Sequence, residues 1–362
     1  MYNRREALLS ITGAAAAVVL SKPVWAQASP ESKSGRLGIC TDSYALRFRA
    51  SRDGGQDKER FAEPLGFLDH CHRLGAGGIQ MNIGPQYEGY AVRLRRQAET
   101  YGMFVEGSAG LPKDQSDLER FEAEVVASKN SGVTVIRVLF PSRGTGRRYE
   151  AFNTAAEFHE ACERGRRMLE LAEPVATRHK VRLALENHKD QRVPEMLETL
   201  KRVSSEYVGI CVDTGNNIAM LEDPMELVEA FAPWAFAVHL KDMAVQEYED
   251  GFLLAEVPLG DGILDLPKVV QTLRSRHPEV RFSLEMMTRD PLNVPCLTDK
   301  YWAAMADVPG RDLARTLKMV RARGRKEALP RIIKVLSLPE QFMVEEENVR
   351  KCLAYARERL DL

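Results

Sequence analysis

The sequence predicts an α/β protein: a closed (β/α)8 barrel of parallel strands with extra C-terminal helices. Three observations predict it. Eight short apolar runs alternate with amphipathic stretches, and strands that alternate with helices pair in parallel through crossovers. Four of those runs end on one shared residue pattern. The chain has 362 residues, 44% hydrophobic and 28% charged, against roughly 250 for a barrel of this kind, which leaves room for a leader and a tail. A doubly wound open sheet satisfies the first observation too; eight units point to closure.

The elements follow in order. Residues 1–28 read as an export signal: Asn3-Arg4-Arg5, then Glu6, an apolar run over 7–20, and the small-x-small triplet Ala26-Gln27-Ala28. The paired arginines suggest the twin-arginine (Tat) machinery, which exports folded proteins. A run of about 14 residues is short for a spanning helix, so no permanent membrane anchor is expected. The mature chain is then expected in the periplasm or outside the cell. Residues 29–35 read as a polar linker, 36–311 as the barrel and 312–362 as a helical extension.

Strands are expected over 37–41, 78–82, 104–107, 133–140, 181–186, 208–213, 235–240 and 282–286. Helices are expected over 57–74, 89–101, 115–129, 153–178, 194–207, 224–231 and 267–276. The first of these places Phe61, Leu65, Leu68 and Cys71 on one face. His70 and His72 are read as its surface residues. In the tail, 314–323 and 339–360 read as helical, either closing the outer ring or making a homo-oligomer contact. The six cysteines, Cys40, Cys71, Cys162, Cys211, Cys296 and Cys352, contain no C-x-x-C. They read as buried small apolar residues rather than a zinc or redox motif.

The shared pattern carries the chemistry. The fifth to eighth strands end Ala184-Leu185-Glu186, Cys211-Val212-Asp213, Ala237-Val238-His239 and Ser283-Leu284-Glu285. Side chains alternate faces along a strand. Leu185, Val212, Val238 and Leu284 therefore point out to the helices, and Glu186, Asp213, His239 and Glu285 point in at the C-terminal mouth. The small residues beneath leave room for a compact ion. Active sites of such barrels lie at this end. Three crowded carboxylates resist ionisation, and a divalent cation removes that penalty. An oxygen-rich set with one histidine suits Mn²⁺, then Co²⁺ or Mg²⁺, better than structural zinc.

These segments, LALENH, CVDTGN, AVHLKD and FSLEMM, resemble the metal-site strands of the xylose-isomerase-like TIM-barrel superfamily of sugar isomerases and epimerases. Pro258-Leu259-Gly260-Asp261-Gly262 with Asp265 resembles the glycine-rich loop after its seventh strand. The resemblance covers about residues 37–290. It implies that Glu186 and Glu285 are metal ligands that also exchange the substrate proton. The sequence departs at Thr214-Gly215-Asn216, where several epimerases carry a histidine that contacts substrate; Asn216 can still bond a hydroxyl.

The implied reaction is enediolate chemistry on an α-hydroxy carbonyl, giving epimerisation or aldose–ketose isomerisation. A leaving group β to the carbonyl turns the same intermediate toward a lyase or dehydratase outcome, such as cleavage of a 3-keto-glycoside. Export disfavours a phosphorylated sugar. His188 is read as a substrate contact or acid–base partner. Lys241 either steadies an oxyanion or forms a salt bridge with Asp242 or another acid. Trp302 is a candidate for stacking on a sugar ring. A net charge of −1 and no basic stripe argue against nucleic acid. A non-catalytic sugar-binding barrel remains the alternative from another class.

Overall fold

The computed structural model describes residues 37–52, 63–85, 88–140 and 146–362; the expected export signal, the linker and Phe61 lie outside the described residues. Eight strands close a barrel: β1 (Gly38–Cys40), β2 (Gly78–Asn82), β3 (Phe104–Gly110), β4 (Val135–Leu139), β5 (Arg182–Glu186), β6 (Val208–Asp213), β7 (Ala235–Leu240) and β10 (Phe282–Leu284). Their order around the barrel is β1-β10-β7-β6-β5-β4-β3-β2, every pair parallel. All eight lie where the apolar runs place them.

The alternation holds as read. Leu185, Val212, Val238 and Leu284 belong to the large core between barrel and helices, whereas Ala184, Cys211 and Ala237 form a small inner cluster with Val135. The helices are α1 (Ala45–Arg52), α2 (Pro64–Arg73), α3 (Glu88–Tyr101), α4 (Leu118–Asn130), α5 (Arg148–Ala151), α6 (Ala155–His179), α7 (Val193–Val203), α8 (Pro224–Phe231), α9 (Leu266–Arg276), α10 (Asp299–Ala303), α11 (Gly310–Arg323) and α12 (Leu338–Tyr355). Several starts are fixed by local chemistry. Asp223 accepts the Met225 and Glu226 N–H groups ahead of α8, and Asp265 accepts the Lys268 N–H ahead of α9. In both, proline fills the first turn, where no intrahelical donor is lost.

Three features differ from the sequence reading. Residues 242–257, where no element was expected, form a hairpin, β8 (Asp242–Tyr248) with β9 (Gly251–Val257), and β11 (Leu292–Val294) adds an antiparallel edge. The signal was present as Asp250-Gly251 between alternating apolar residues. His70 is buried, not at the surface, with Nε2 2.9 Å from the Tyr44 hydroxyl. The helix read over 194–207 ends at Val203, because Ser204 turns into the left-handed region at φ 48°.

The last helix closes the ring between β10 and β1. Val349, Cys352, Leu353 and Ala356 enter the main core. Glu345 accepts the Leu46 N–H at 2.8 Å, Glu346 accepts the Tyr44 hydroxyl at 3.1 Å, and Asn348 donates to Thr288 at 3.0 Å. The six cysteines are all buried and free. Among the described residues no helix is long and apolar enough to cross a membrane.

Candidate metal centre

Glu186, Asp213 and His239 sit on the last two residues of β5, β6 and β7, and Glu285 follows β10 directly. In register, Asp213 lies opposite His239, and His239 opposite Ser283. One ligand atom from each of the four lies within 4.8 Å of the others, and all four residues are buried.

The histidine is held for the task. Its Nε2 lies 2.6 Å from Gln80 Oε1, and the Gln80 amide donates from Nε2 to Glu106 at 3.2 Å. The amide orientation therefore puts the proton on His239 Nε2. In the charged imidazole Nδ1 is protonated as well and donates to Glu285 at 3.0 Å, with Glu186 at 3.5 Å; a bound cation would take that position's lone pair instead. Burial works against a charged imidazole here, but Cys211, Glu186 and Glu285 favour it, and its pKa lies well above the ordinary value.

The carboxylates are held just as specifically. Glu186 pairs through Oε2 with Arg137, a half-buried β4 residue that the sequence reading missed, while Glu186 Oε1 has no hydrogen-bond partner among the described residues. Burial acts to raise the Glu186 pKa, Arg137 and His239 act to lower it, and the result is lowered. Asp213 Oδ1 accepts the N–H groups of Gly215 and Asn216 at 3.0 and 2.9 Å. Asn187 clips the Asp213 backbone on both sides: its oxygen accepts the N–H at 2.8 Å and its nitrogen donates to the carbonyl at 2.9 Å.

Lys241 reaches Asp213 Oδ2 at 2.8 Å and Glu285 Oε2 at 2.9 Å, so it bonds the candidate ligands themselves and not Asp242. Burial pushes the Asp213 carboxyl up to about 7 against the pull of Lys241. For Glu285 the same two influences, with His239, end well below the usual range. Gly215 is needed for this approach, since a Cβ there would meet Met243 at 2.5 Å and the Lys241 stem at 3.1 Å.

Asp242 has another duty. Its carboxylate accepts four backbone N–H groups, from Met243, Gly260, Gly262 and Leu264, at 2.9 to 3.1 Å. The glycine-rich loop is thus wrapped on an acid of β8, and a Cβ on Gly262 would fall 2.1 Å from Asp242 Oδ1.

His188 faces the cluster, with Nδ1 3.3 Å from the Gly146 carbonyl; burial and then Lys189 lower its pKa to about 4. Asn216 offers its oxygen to both Lys189 and Lys241 and donates to the Asn187 carbonyl at 3.1 Å. Trp302 donates its indole N–H to the Cys296 carbonyl at 2.9 Å. Gln80 and Arg137 escaped the sequence reading because each lies on a strand without the repeated ending, and Lys189 because it lies in the loop beyond β5. The inward parity of Gln80 and Arg137 was the available signal.

The donor set fits a divalent cation. Three carboxylates converge with an imidazole lone pair on one buried point, and an ion of +2 charge offsets the repulsion that otherwise needs Lys241 and a protonated His239. A parallel eight-stranded barrel with a carboxylate–imidazole cluster at its C-terminal mouth defines the class. A family model for xylose isomerase-like TIM barrels matches residues 68–308, and the chain belongs to that family.

The chain is similar to 3-oxo-isoapionate decarboxylase of Pectobacterium atrosepticum, 27% identical over 259 residues, covering 69% of this chain and 85% of the relative. Among solved structures, D-psicose 3-epimerase in the presence of D-fructose superposes with a TM-score of 0.53 at 12% identity, over 90% of this chain and 99% of that one. A xylose isomerase-like TIM-barrel protein from Mycobacterium smegmatis in complex with magnesium gives 0.52 at 16%, over 78% and 98%. At these identities the two structures bear on the fold alone.

Proposed function

We propose that the chain is a divalent-metal-dependent isomerase or epimerase acting on a non-phosphorylated keto-sugar. The observation that carries the proposal is the convergence of Glu186, Asp213, His239 and Glu285 within 4.8 Å. A cation held by these four, Mn²⁺ ahead of Co²⁺ or Mg²⁺, supplies Lewis-acid polarisation of a substrate carbonyl. The chain's own groups do the rest. Arg137 keeps Glu186 ionised and holds one of its oxygens, which leaves Oε1 to take a proton from the carbon beside the carbonyl. Glu285, kept ionised next to Lys241, serves the opposite transfer. Lys241 donates toward oxygen in the same space, and burial of the whole group excludes water.

A second reading is favoured by the decarboxylase relative: the same carbanion-forming site runs as a lyase. Export through residues 1–28 is part of the proposal, and cell fractionation with an N-terminal processing assay tests it.

The deciding experiment uses purified chain and a Glu285→Gln variant. Bound metal is quantified, and each protein is incubated in D₂O with a panel of ketoses and 3-keto-glycosides. Wild type is expected to hold about one divalent ion and to introduce deuterium beside the carbonyl; the variant is expected to lose at least about a hundredfold in exchange. A chain that takes up no metal even on reconstitution would refute the reading.

A further inference from the structure

We propose that Lys189 binds a carboxylate of the substrate, so that the molecule turned over is a keto-sugar acid rather than a neutral sugar. The inference rests on the keto-sugar reading above and names the substrate class for that site.

Four cations around the mouth each meet a carboxylate. Arg137 faces Glu186, Lys241 faces Asp213 and Glu285, Arg148 faces Glu195, and Arg289 faces Glu256. Lys189 differs. It is 3% exposed, and among the described residues its ammonium meets no carboxylate; its partner is the amide oxygen of Asn216. An ammonium carries three donors, so two are left over in a buried place, where an uncompensated charge is costly. Lys241 leans on the same Asn216 oxygen at 3.3 Å, but its charge is answered by Asp213 and Glu285, so the unanswered charge is the single one of Lys189. Glu256, the acid that most favours the charged form of Lys189, already accepts two hydrogen bonds from Arg289.

The location is the reacting one. Asn216, which holds Lys189, donates its own N–H to Asp213 Oδ1 at 2.9 Å. Lys189 is therefore one residue removed from the candidate metal ligands. Its backbone is fixed as well, since its carbonyl accepts the Arg148 N–H at 2.8 Å. A phosphate group is met in proteins by several donors, from arginine forks or a helix N-terminus. One ammonium beside one amide matches the single charge of a carboxylate.

The test uses manganese-loaded wild type, Lys189→Met and Lys189→Arg. Each is titrated calorimetrically with D-fructose, D-fructuronate and D-fructose 6-phosphate, which share a skeleton and differ only at the terminal carbon. Wild type is expected to bind the acid at least about tenfold more tightly than the neutral sugar; Lys189→Met loses that preference and Lys189→Arg keeps most of it. Lys189→Gln repeats the measurement if the methionine variant does not fold. A wild type without preference for the acid, or a preference that survives in Lys189→Met or Lys189→Gln, overturns the proposal. Tightest binding of the phosphate ester overturns the carboxylate in favour of a phosphate. Metal content is read on the same samples. Full metal without acid preference removes only this inference, whereas a wild type that cannot be loaded removes the reading beneath it.

Discussion

Two residues outside the four-residue cluster set its geometry: Gln80 fixes the angle of the His239 ring and Arg137 holds one oxygen of Glu186. Strand periodicity shows which of the four share a face, because a polar residue above a small one recurs on four strands, but it does not show these partners. Gln80 orients His239, yet Gly-Ile-Gln-Met-Asn reads as an ordinary strand, and nothing local says that its amide crosses the barrel. Arg137 lies one strand before the series begins. Contacts across a closed barrel depend on closure, which no single segment encodes. Gln80→Met leaves the four donors in place and frees the imidazole to rotate. The divalent-metal Kd is expected to rise about 10- to 100-fold, measured by competition with a fluorescent chelator, with little change in the melting temperature of the metal-free chain.

At the scale of elements, the eight strands emerged from the sequence because each is a bounded apolar run. The hairpin β8–β9 did not, since its first strand follows β7 after a single residue and no element was expected over 242–257. Helix α12 was legible as a helix, but its place in the ring was not. That place is held by buried polar contacts, which respond to pH. Burial raises the Glu345 carboxyl to about 7, with the Leu46 N–H and Arg47 pulling the other way. Between the ordinary 4.5 and 7 the folded chain holds a proton that the unfolded chain has lost. Stability therefore falls as pH rises through that window, by up to about 3 kcal/mol from this group. Glu346, held at about 2, acts only below the window. Glu345→Gln keeps an acceptor for Leu46 and removes the titration. Denaturant midpoints from pH 4.5 to 7.5 are expected to decline less steeply in the variant than in wild type; parallel declines would show that Glu345 does not carry the effect.

At the scale of the whole molecule, the barrel brings residues 99 positions apart in sequence, Glu186 and Glu285, onto one point of like charge. The folded chain should therefore be the form that binds metal, and its stability should follow metal concentration. At a free Mn²⁺ concentration of about 100 times Kd the gain is about 2.7 kcal/mol. The midpoint of denaturant unfolding is expected to rise on loading and to fall again with a chelator. A Glu186→Gln, Glu285→Gln double variant should show neither change. Stabilisation that persists in the double variant would place the binding elsewhere.

Barrel closure depends on its two shortest members. Strands β1 and β10 have three residues each and pair with one another. The seam is reinforced from outside the ladder: Ser43 donates its hydroxyl to the Leu284 carbonyl at 2.8 Å and accepts the Met286 N–H at 3.0 Å, while α12 lies over both ends. A ring opens where its rungs are fewest. Amide protons of Ile39, Leu284 and Met286 should exchange with solvent deuterium sooner than those of Ile210 or Leu185 across the barrel. Glu285 sits on that seam and Glu186 does not. Breathing of the closure would then loosen the Glu285 side of the four-residue cluster while the Glu186 side stays fixed, and the hydroxyl of one serine would govern how often it opens.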